Sequence, residues 1–258
     1  MFAAKAPRMN GTFDLVELVD DLVGGKLLAG DIIVVSSKFV AISEGRIVAL
    51  RTVRPGPLAK ALSGKLGVSP QMCELVVRES DEILGGVPGF ILATKEGLLT
   101  PNAGIDKSNI DHGKVVLYPR RPLESASLLR DAIKFRRGID VGVVISDSRL
   151  MPTRKGTVGV ALAAAGLEGI RDLRGNSDLF GNILRVTSQA LADDLTSAAQ
   201  LLMGESDEAT PLVVIRGMGR QLVNGKLYDM RDFAINSEQC VYLRSLGYST
   251  RRKTRRSF

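Results

Sequence analysis

Three short stretches of this chain gather the side chains most able to do chemistry. The first, Thr100-Pro-Asn-Ala-Gly-Ile-Asp-Lys-Ser-Asn109, follows the apolar Leu98 and Leu99. Gly104 lets the backbone turn sharply there, so that Asp106 and Asn109 can face one site. The second, Val143-Val-Ile-Ser-Asp-Ser-Arg149, reads as a buried strand delivering Asp147 and Ser148 at its C-terminal end, where α/β proteins commonly place ligand-binding groups. The third, Met203-Gly-Glu-Ser-Asp-Glu-Ala-Thr-Pro211, crowds Glu205, Asp207 and Glu208 into a turn after a helix for which Gly204 is the expected C-cap. Hard cations such as Mg²⁺ and Mn²⁺ prefer oxygen ligands and are often held by one or two carboxylates plus substrate phosphates, so Asp106 and Asp147 would suffice. A basic, glycine-punctuated run, Pro152-Thr-Arg-Lys-Gly-Thr-Val-Gly159, could wrap anionic oxygens with Arg154, Lys155 and backbone N–H groups. Each stretch also has a plainer reading, in which Asp and Asn bond their own turn backbone and the charged residues are simply solvated.

What is missing narrows the chemistry. His112 is the only histidine and no G-x-S-x-G occurs, which argues against a serine hydrolase with a histidine base and against cysteine-protease chemistry. Neither G-x-x-x-x-G-K-[ST] nor a strand-to-helix G-x-G-x-x-G is present, so any nucleotide needs an unfamiliar cradle. Carboxylates, hydroxyls and scattered Lys and Arg are left to do the work.

Elements able to position them are legible. Apolar runs of strand length recur at 31–36, 46–50, 89–93, 114–118, 141–145 and 212–215. Helical patterns lie at 15–22, from Ser69-Pro70 to about Arg78, at 124–136, and from Thr187 to Met203. In the last, Leu191, Leu195 and Leu202 form an apolar stripe beneath a Thr187 or Ser188 cap, with Asp193 and Asp194 on another face. Helices and strands mix without regular alternation, which predicts an α/β or α+β fold with two lobes.

At 258 residues and 45% hydrophobic content the chain can bury a substantial core. No repeat or long linker divides it, so residues 1–250 read as one module and 251–258 as a basic C-terminal tail. Five positive charges of the net +7 come from Arg251, Arg252, Lys253, Arg255 and Arg256, which reads as a solvated terminus rather than a nucleic-acid arm. Cys73 and Cys240 are too few for a zinc cluster or disulfide framework, and a reducing compartment is the natural reading. No stretch approaches the ~18 apolar residues of a membrane span, so a cytoplasmic location is expected.

Taken together, the segments resemble the coenzyme F420-0:L-glutamate ligases, a family that extends a deazaflavin coenzyme by γ-linked glutamate. The likeness is collinear over most of the chain. It runs through Gly30-Asp-Ile-Ile-Val-Val-Ser-Ser-Lys38, Glu44-Gly-Arg46, Asn102-Ala-Gly-Ile-Asp106 with Asn109, Ser146-Asp-Ser148, Arg154 with Gly156 and Gly159, Asp178-Leu-Phe-Gly181, and Leu201-Leu-Met-Gly-Glu205. The resemblance implies GTP-dependent ligation with two divalent cations, Mg²⁺ or Mn²⁺, and K⁺ as an optional third ion. It also implies a homodimer of intertwined, two-lobed subunits with mixed sheets, acting on L-glutamate and F420-0 or a related acidic precursor.

Carried over by motif, Asp106 and Asp147 would bind one metal, and Ser148 with Glu205 or a close neighbour the other. Ser37, Lys38, Asn109, Arg154 and the stretch Gly204, Glu205, Ser206, Asp207, Glu208 and Ala209 would line the nucleotide. Where the family often reads Ser-Lys-x-Glu-Gly-Arg, this chain has Ala41-Ile-Ser-Glu-Gly-Arg46, with Ile42 at the lysine position. The missing charge would have to come from Lys38, Arg149, Arg154 or Lys155.

Overall fold

Residues 1–248 are described by a computed structural model; the basic tail at 251–258 lies outside the described residues. From the N-terminus come β1 (Phe2–Ala4), α1 (Leu15–Val23), β2 (Ile32–Ser36), α2 (Ser37–Ser43), β3 (Ile47–Ala49), α3 (Pro57–Leu66) and α4 (Pro70–Glu79). Three strands follow, β4 (Glu82–Val87), β5 (Phe90–Lys95) and β6 (Leu98–Pro101), then β7 (Lys114–Val116), α5 (Pro122–Arg137), β8 (Gly142–Leu150) and β9 (Thr157–Leu167). The remainder is β10 (Arg171–Asp172), β11 (Ser188–Gln189), α6 (Leu191–Met203), β12 (Leu212–Ile215), β13 (Leu222–Tyr228), α7 (Met230–Phe233) and α8 (Val241–Ser245). The fold is mixed α/β, as expected.

The main sheet has six strands in the order β1-β12-β2-β8-β9-β13, with β2 and β8 parallel and the other pairs antiparallel. Its middle is apolar on both faces, which is why 32–35 is an unbroken run of Ile and Val rather than an alternating pattern. Ile33 and Val35 pack with Val19 and Val23 of α1 and Leu129 and Ile133 of α5. Ile32 and Val34 pack on the opposite face with Ala192, Leu195 and Ala199 of α6. A second core gathers Ala59 and Leu66 of α3, Met72, Cys73, Leu75 and Val76 of α4, and Ile91 and Ala93 of β5. It sits beside the three-stranded sheet β4-β5-β6. The start of α4 follows from its sequence: Pro70 fits the first turn and the Ser69 hydroxyl accepts from the Met72 N–H.

Several elements depart from the sequence reading. Asp147 lies inside β8 rather than at its end, because β8 runs on to Leu150 in a hairpin with β9. The stretch 152–159 is accordingly only partly a loop, since Thr157–Gly159 are paired strand. Neither Thr187 nor Ser188 caps α6: Ser188 belongs to β11, and the helix starts at Leu191 behind Ala190, without a side-chain cap. Asp193, off the leucine stripe, turns its carboxylate to the sheet and accepts from the Ala161 N–H of β9 at 2.8 Å. The run at 114–118 stops as a strand at Val116. Among the described residues no helix is long and apolar enough to cross a membrane.

Candidate functional site

Parallel pairing sets Ser36 of β2 opposite Ser146 of β8, so the next residue of each, Ser37 and Asp147, are neighbours. The Ser37 hydroxyl donates to Asp147 Oδ1 at 3.1 Å. Tyr118, fully buried just after β7, donates its phenol O–H to Asp147 Oδ2 at 2.8 Å, and Arg149 Nη2 donates to the same phenol oxygen at 2.6 Å. Burial pushes the Asp147 carboxyl above its ordinary value; Arg149 and the two hydroxyl donors oppose this without reversing it, and the Asp106 charge adds to the rise.

Asp106 is fixed by its backbone before its side chain does anything. Its N–H and C=O both bond Val116 across an isolated bridge, at 2.9 Å each. Immediately upstream, Asn102, Ala103 and Gly104 all adopt left-handed backbone, at φ 51°, 52° and 74°. Gly104 is required twice, because a Cβ there would overlap the Tyr118 ring. The Asp106 carboxylate then meets Lys38 Nζ at 2.6 Å and accepts from the Ser108 N–H at 2.7 Å and the Ser108 hydroxyl at 3.0 Å. Burial raises its pKa, but Lys38 and Ser108 outweigh that and hold it below the ordinary value. Two adjacent carboxyls are thus driven in opposite directions.

The third carboxylate comes from the loop after α6. Gly204 ends that helix at φ 72°, donating its N–H to Gln200 O, and a Cβ there would overlap the Glu208 carboxylate. Glu208 is committed to the loop itself, accepting from the Ser206 N–H at 2.8 Å. Glu205 instead points back to β8, where the Ser148 hydroxyl donates to Oε2 at 3.3 Å and Gln200 Nε2 donates to Oε1. Asn109 Nδ2 donates to Ser206 O at 2.6 Å and Ala6 N–H to Ala209 O at 2.9 Å, so the loop is tied to two distant parts of the chain.

Two cavities open on this cluster. The larger, about 530 Å³, runs between the N-terminal segment, α2 and the 204–211 loop; the smaller, about 230 Å³, lies towards β5, β6 and the outer end of β8. Gly104, Asp106, Ser108, Asp147, Ser148 and Glu205 belong to both. Ser37, Lys38, Asn109 and Gly204, Ser206, Asp207, Glu208 and Ala209 line the larger one. Arg154 lines neither: it sits in the exposed turn between β8 and β9. Ile42 lines the larger cavity within an apolar patch with Ala41 and Val116, while Lys38, one helical turn earlier, brings a cation to Asp106. Sequence reasoning missed Tyr118, which lies 29 residues from Asp147 and looks like part of an apolar run.

Among the described residues no group of three or more His, Cys, Asp or Glu side chains is gathered closely enough to enclose a metal. The oxygens of Asp106, Asp147, Ser148 and Glu205 nevertheless fit hard divalent cations that complete their coordination with water and substrate oxygens. Asp147, half-buried and on the wall that the two cavities share with Asp106, is the residue best placed to meet a cation there.

Against this geometry, a family profile described as F420-0:Gamma-glutamyl ligase matches residues 4–217. The coenzyme F420:L-glutamate ligase of Methanopyrus kandleri is 39% identical over 210 residues, covering 81% of this chain and 82% of that protein. The protein of the same name from Methanothermobacter thermautotrophicus is 41% identical over 195 residues, covering 75% and 77%. That from Methanocaldococcus jannaschii is 40% identical over 202 residues, covering 78% and 81%.

Proposed function

Since the chain belongs to the F420-0:gamma-glutamyl ligase family, a family of amide-forming ligases, we propose that it joins L-glutamate to coenzyme F420-0 at the expense of GTP, with two divalent cations. The observation that carries this reading is the shared wall: the carboxylates and hydroxyls suited to metal binding stand between a cavity of nucleotide size and a smaller one. Asp106 and Asp147 would hold one ion, and Ser148 with Glu205 the other. Metal ions so held would offset charge on the phosphoryl oxygens during transfer.

In this scheme a carboxylate oxygen of the acceptor attacks the γ-phosphorus, the bond to the GDP oxygen breaks, and an acyl phosphate results. The glutamate amine then attacks the acyl carbon and gives up one proton to the departing phosphate or to water, the amide forms, and phosphate leaves with the bonding pair. Lys38, adjoining both Asp106 and the larger cavity, supplies positive charge on the nucleotide side where Ile42 cannot. Tyr118 and Ser37 orient Asp147, and Asn109 holds the loop that forms the far wall.

We also infer a homodimer. Between β10 and β11 a hairpin turns at Asp178, whose Oδ1 accepts from the Phe180 and Asn182 N–H groups at 2.8 Å each. It leaves Leu179 and Phe180 100% and 91% exposed, an apolar tip suited to a second copy. Purified protein given F420-0, L-glutamate, GTP and Mn²⁺ is expected to yield glutamylated coenzyme by mass spectrometry, with GDP and phosphate released in step. Absence of product with every nucleotide and divalent ion, alongside measurable nucleotide or deazaflavin binding, would favour instead a binding homologue altered at Ile42.

A further inference from the structure

The smaller cavity has a chemistry of its own. Its volume, about 230 Å³, falls below the roughly 300–1,000 Å³ of sites that enclose drug-sized ligands, so it suits neither a nucleotide nor a deazaflavin. One side is the shared wall. The other carries Phe90 and Leu150, both apolar and half-exposed, the hydroxyl-bearing Thr157, and Arg149.

Arg149 is the unusual member. Its side chain is only 10% exposed, yet its one hydrogen bond to a described residue is to the Tyr118 phenol, and its nearest carboxylate, Asp147, is 4.0 Å away. Arg149 Nε is buried without a partner. A guanidinium so nearly withdrawn from water and so lightly paired is expected to meet an anion, and its planar fork matches a carboxylate. The phosphates of a nucleotide belong to the larger cavity, which leaves a carboxylate on a small molecule as the matching group. On the shared wall the Ser108 and Ser148 hydroxyl oxygens can accept from an amine, and Phe90 and Leu150 would cover a short methylene chain.

Resting on the ligase reading above, we propose that the smaller cavity seats the amino-acid substrate, a dicarboxylic α-amino acid with one carboxylate on Arg149 and its amine facing the shared wall. Such a placement delivers the amine to the same wall on which the acyl phosphate would form, while the bulky acceptor and nucleotide approach from the larger side.

Calorimetry of L-glutamate binding to full-length protein loaded with Mn²⁺ and a non-hydrolysable GTP analogue tests this. Thr157→Trp, which fills the cavity from β9 and removes no bond to either aspartate, should weaken glutamate binding by about tenfold or more, with binding of the analogue unchanged. Arg149→Gln should weaken glutamate binding by a similar factor, on the order of a lost hydrogen bond to a charged group, and L-glutamate with both carboxylates amidated should fail to bind the wild type.

Unchanged glutamate affinity in both variants, no glutamate binding by the wild type, or a parallel fall in analogue affinity for Thr157→Trp would overturn the assignment. The two readings fail separately. Turnover by the wild type with an unaltered glutamate KM in both variants removes the amino-acid cavity and leaves the ligase. Glutamate binding that the variants abolish, without turnover by the wild type, does the reverse.

Discussion

Replacing Gly104 by alanine tests how the site is built, because one methyl group acts on three layers of it. The residue sits at φ 74°, where an L side chain is strained by about 1–2 kcal/mol. The added Cβ would also overlap the Tyr118 ring and stand 2.9 Å from its Cγ, and that ring is fully buried. Forcing a methyl group into such packing costs about 1–3 kcal/mol. The sum, roughly 2–5 kcal/mol, should lower Tm by roughly 4–20 °C in a chain of this size. A displaced Tyr118 can no longer donate to Asp147 Oδ2 from 2.8 Å, so Mn²⁺ affinity should drop as well, by about 10–100-fold for a lost orienting partner. Circular-dichroism melting in chelator and calorimetric Mn²⁺ titration read the two effects separately. Tyr118→Phe, which keeps the ring and deletes the O–H, should reproduce the weaker metal binding with a smaller loss of Tm. A Gly104→Ala protein that melts within about 1 °C of wild type and binds Mn²⁺ equally well would refute the reasoning.

Asp147→Asn removes a carboxylate whose burial already favours its protonated form, so the metal-free protein should melt no lower than wild type. The stabilisation by the Mn²⁺ held at this pair, about 2.7 kcal/mol when the ion is at 100 times its Kd, should be lost, leaving only that of an ion at Ser148 and Glu205, and Asp106→Asn should lose it too; an undiminished metal-induced shift in both would contradict the site. The double variant Leu179→Asp with Phe180→Asp should sediment as a monomer with little change in Tm, whereas an unaltered dimer would place the interface elsewhere.

Arg216→Met should lower Tm at neutral pH, because Arg216 Nε and Nη2 each donate to buried Asp31 at 2.8 Å. Burial alone would raise the Asp31 carboxyl, but Arg216 and the Leu28 N–H hold it below its ordinary 3.8. A depressed carboxyl stabilises the fold above 3.8 and loses that contribution as pH falls through the folded-state value. The gap between wild type and variant should therefore be full at neutral pH and narrow below 3.8; a gap constant with pH would exclude the pairing as its cause.

What could be read from the sequence was whatever local pattern decides. The apolar run 212–215 is β12 from end to end, and Ser69-Pro70 does open α4. The polar run Ser146-Asp-Ser-Arg149 looked like the end of a strand, since nothing local reveals that residues 158–161 pair with it. Thr187 and Ser188 carry the right side chains for a cap, but Ser188 pairs with Asp172 in a β ladder and the Thr187 carbonyl accepts from the Leu173 N–H, which claims that backbone. The motif at Asp106 was visible as a turn, whereas its partners Lys38 and Val116 come from α2 and from β7. The arginine at 149 was visible only as spare charge; its burial beneath Tyr118 is a property of the packed fold.

The hairpin of β8 and β9 contains one irregularity: Ile145 faces Ala163 but Ser146 faces Ala161, so Leu162 is an extra residue on β9. Leu162 and Ala163 accordingly both join the core on the α1 and α5 side, while Ala161 and Ala164 join the one beneath α6. Side chains along this hairpin can drift over evolutionary time as long as their volume is kept, but its length cannot. A single-codon deletion there would put the strand's two sides out of phase and turn the cavity-lining side chains of β8 towards the wrong core, so the family's freedom to insert and delete should be confined to its outer loops.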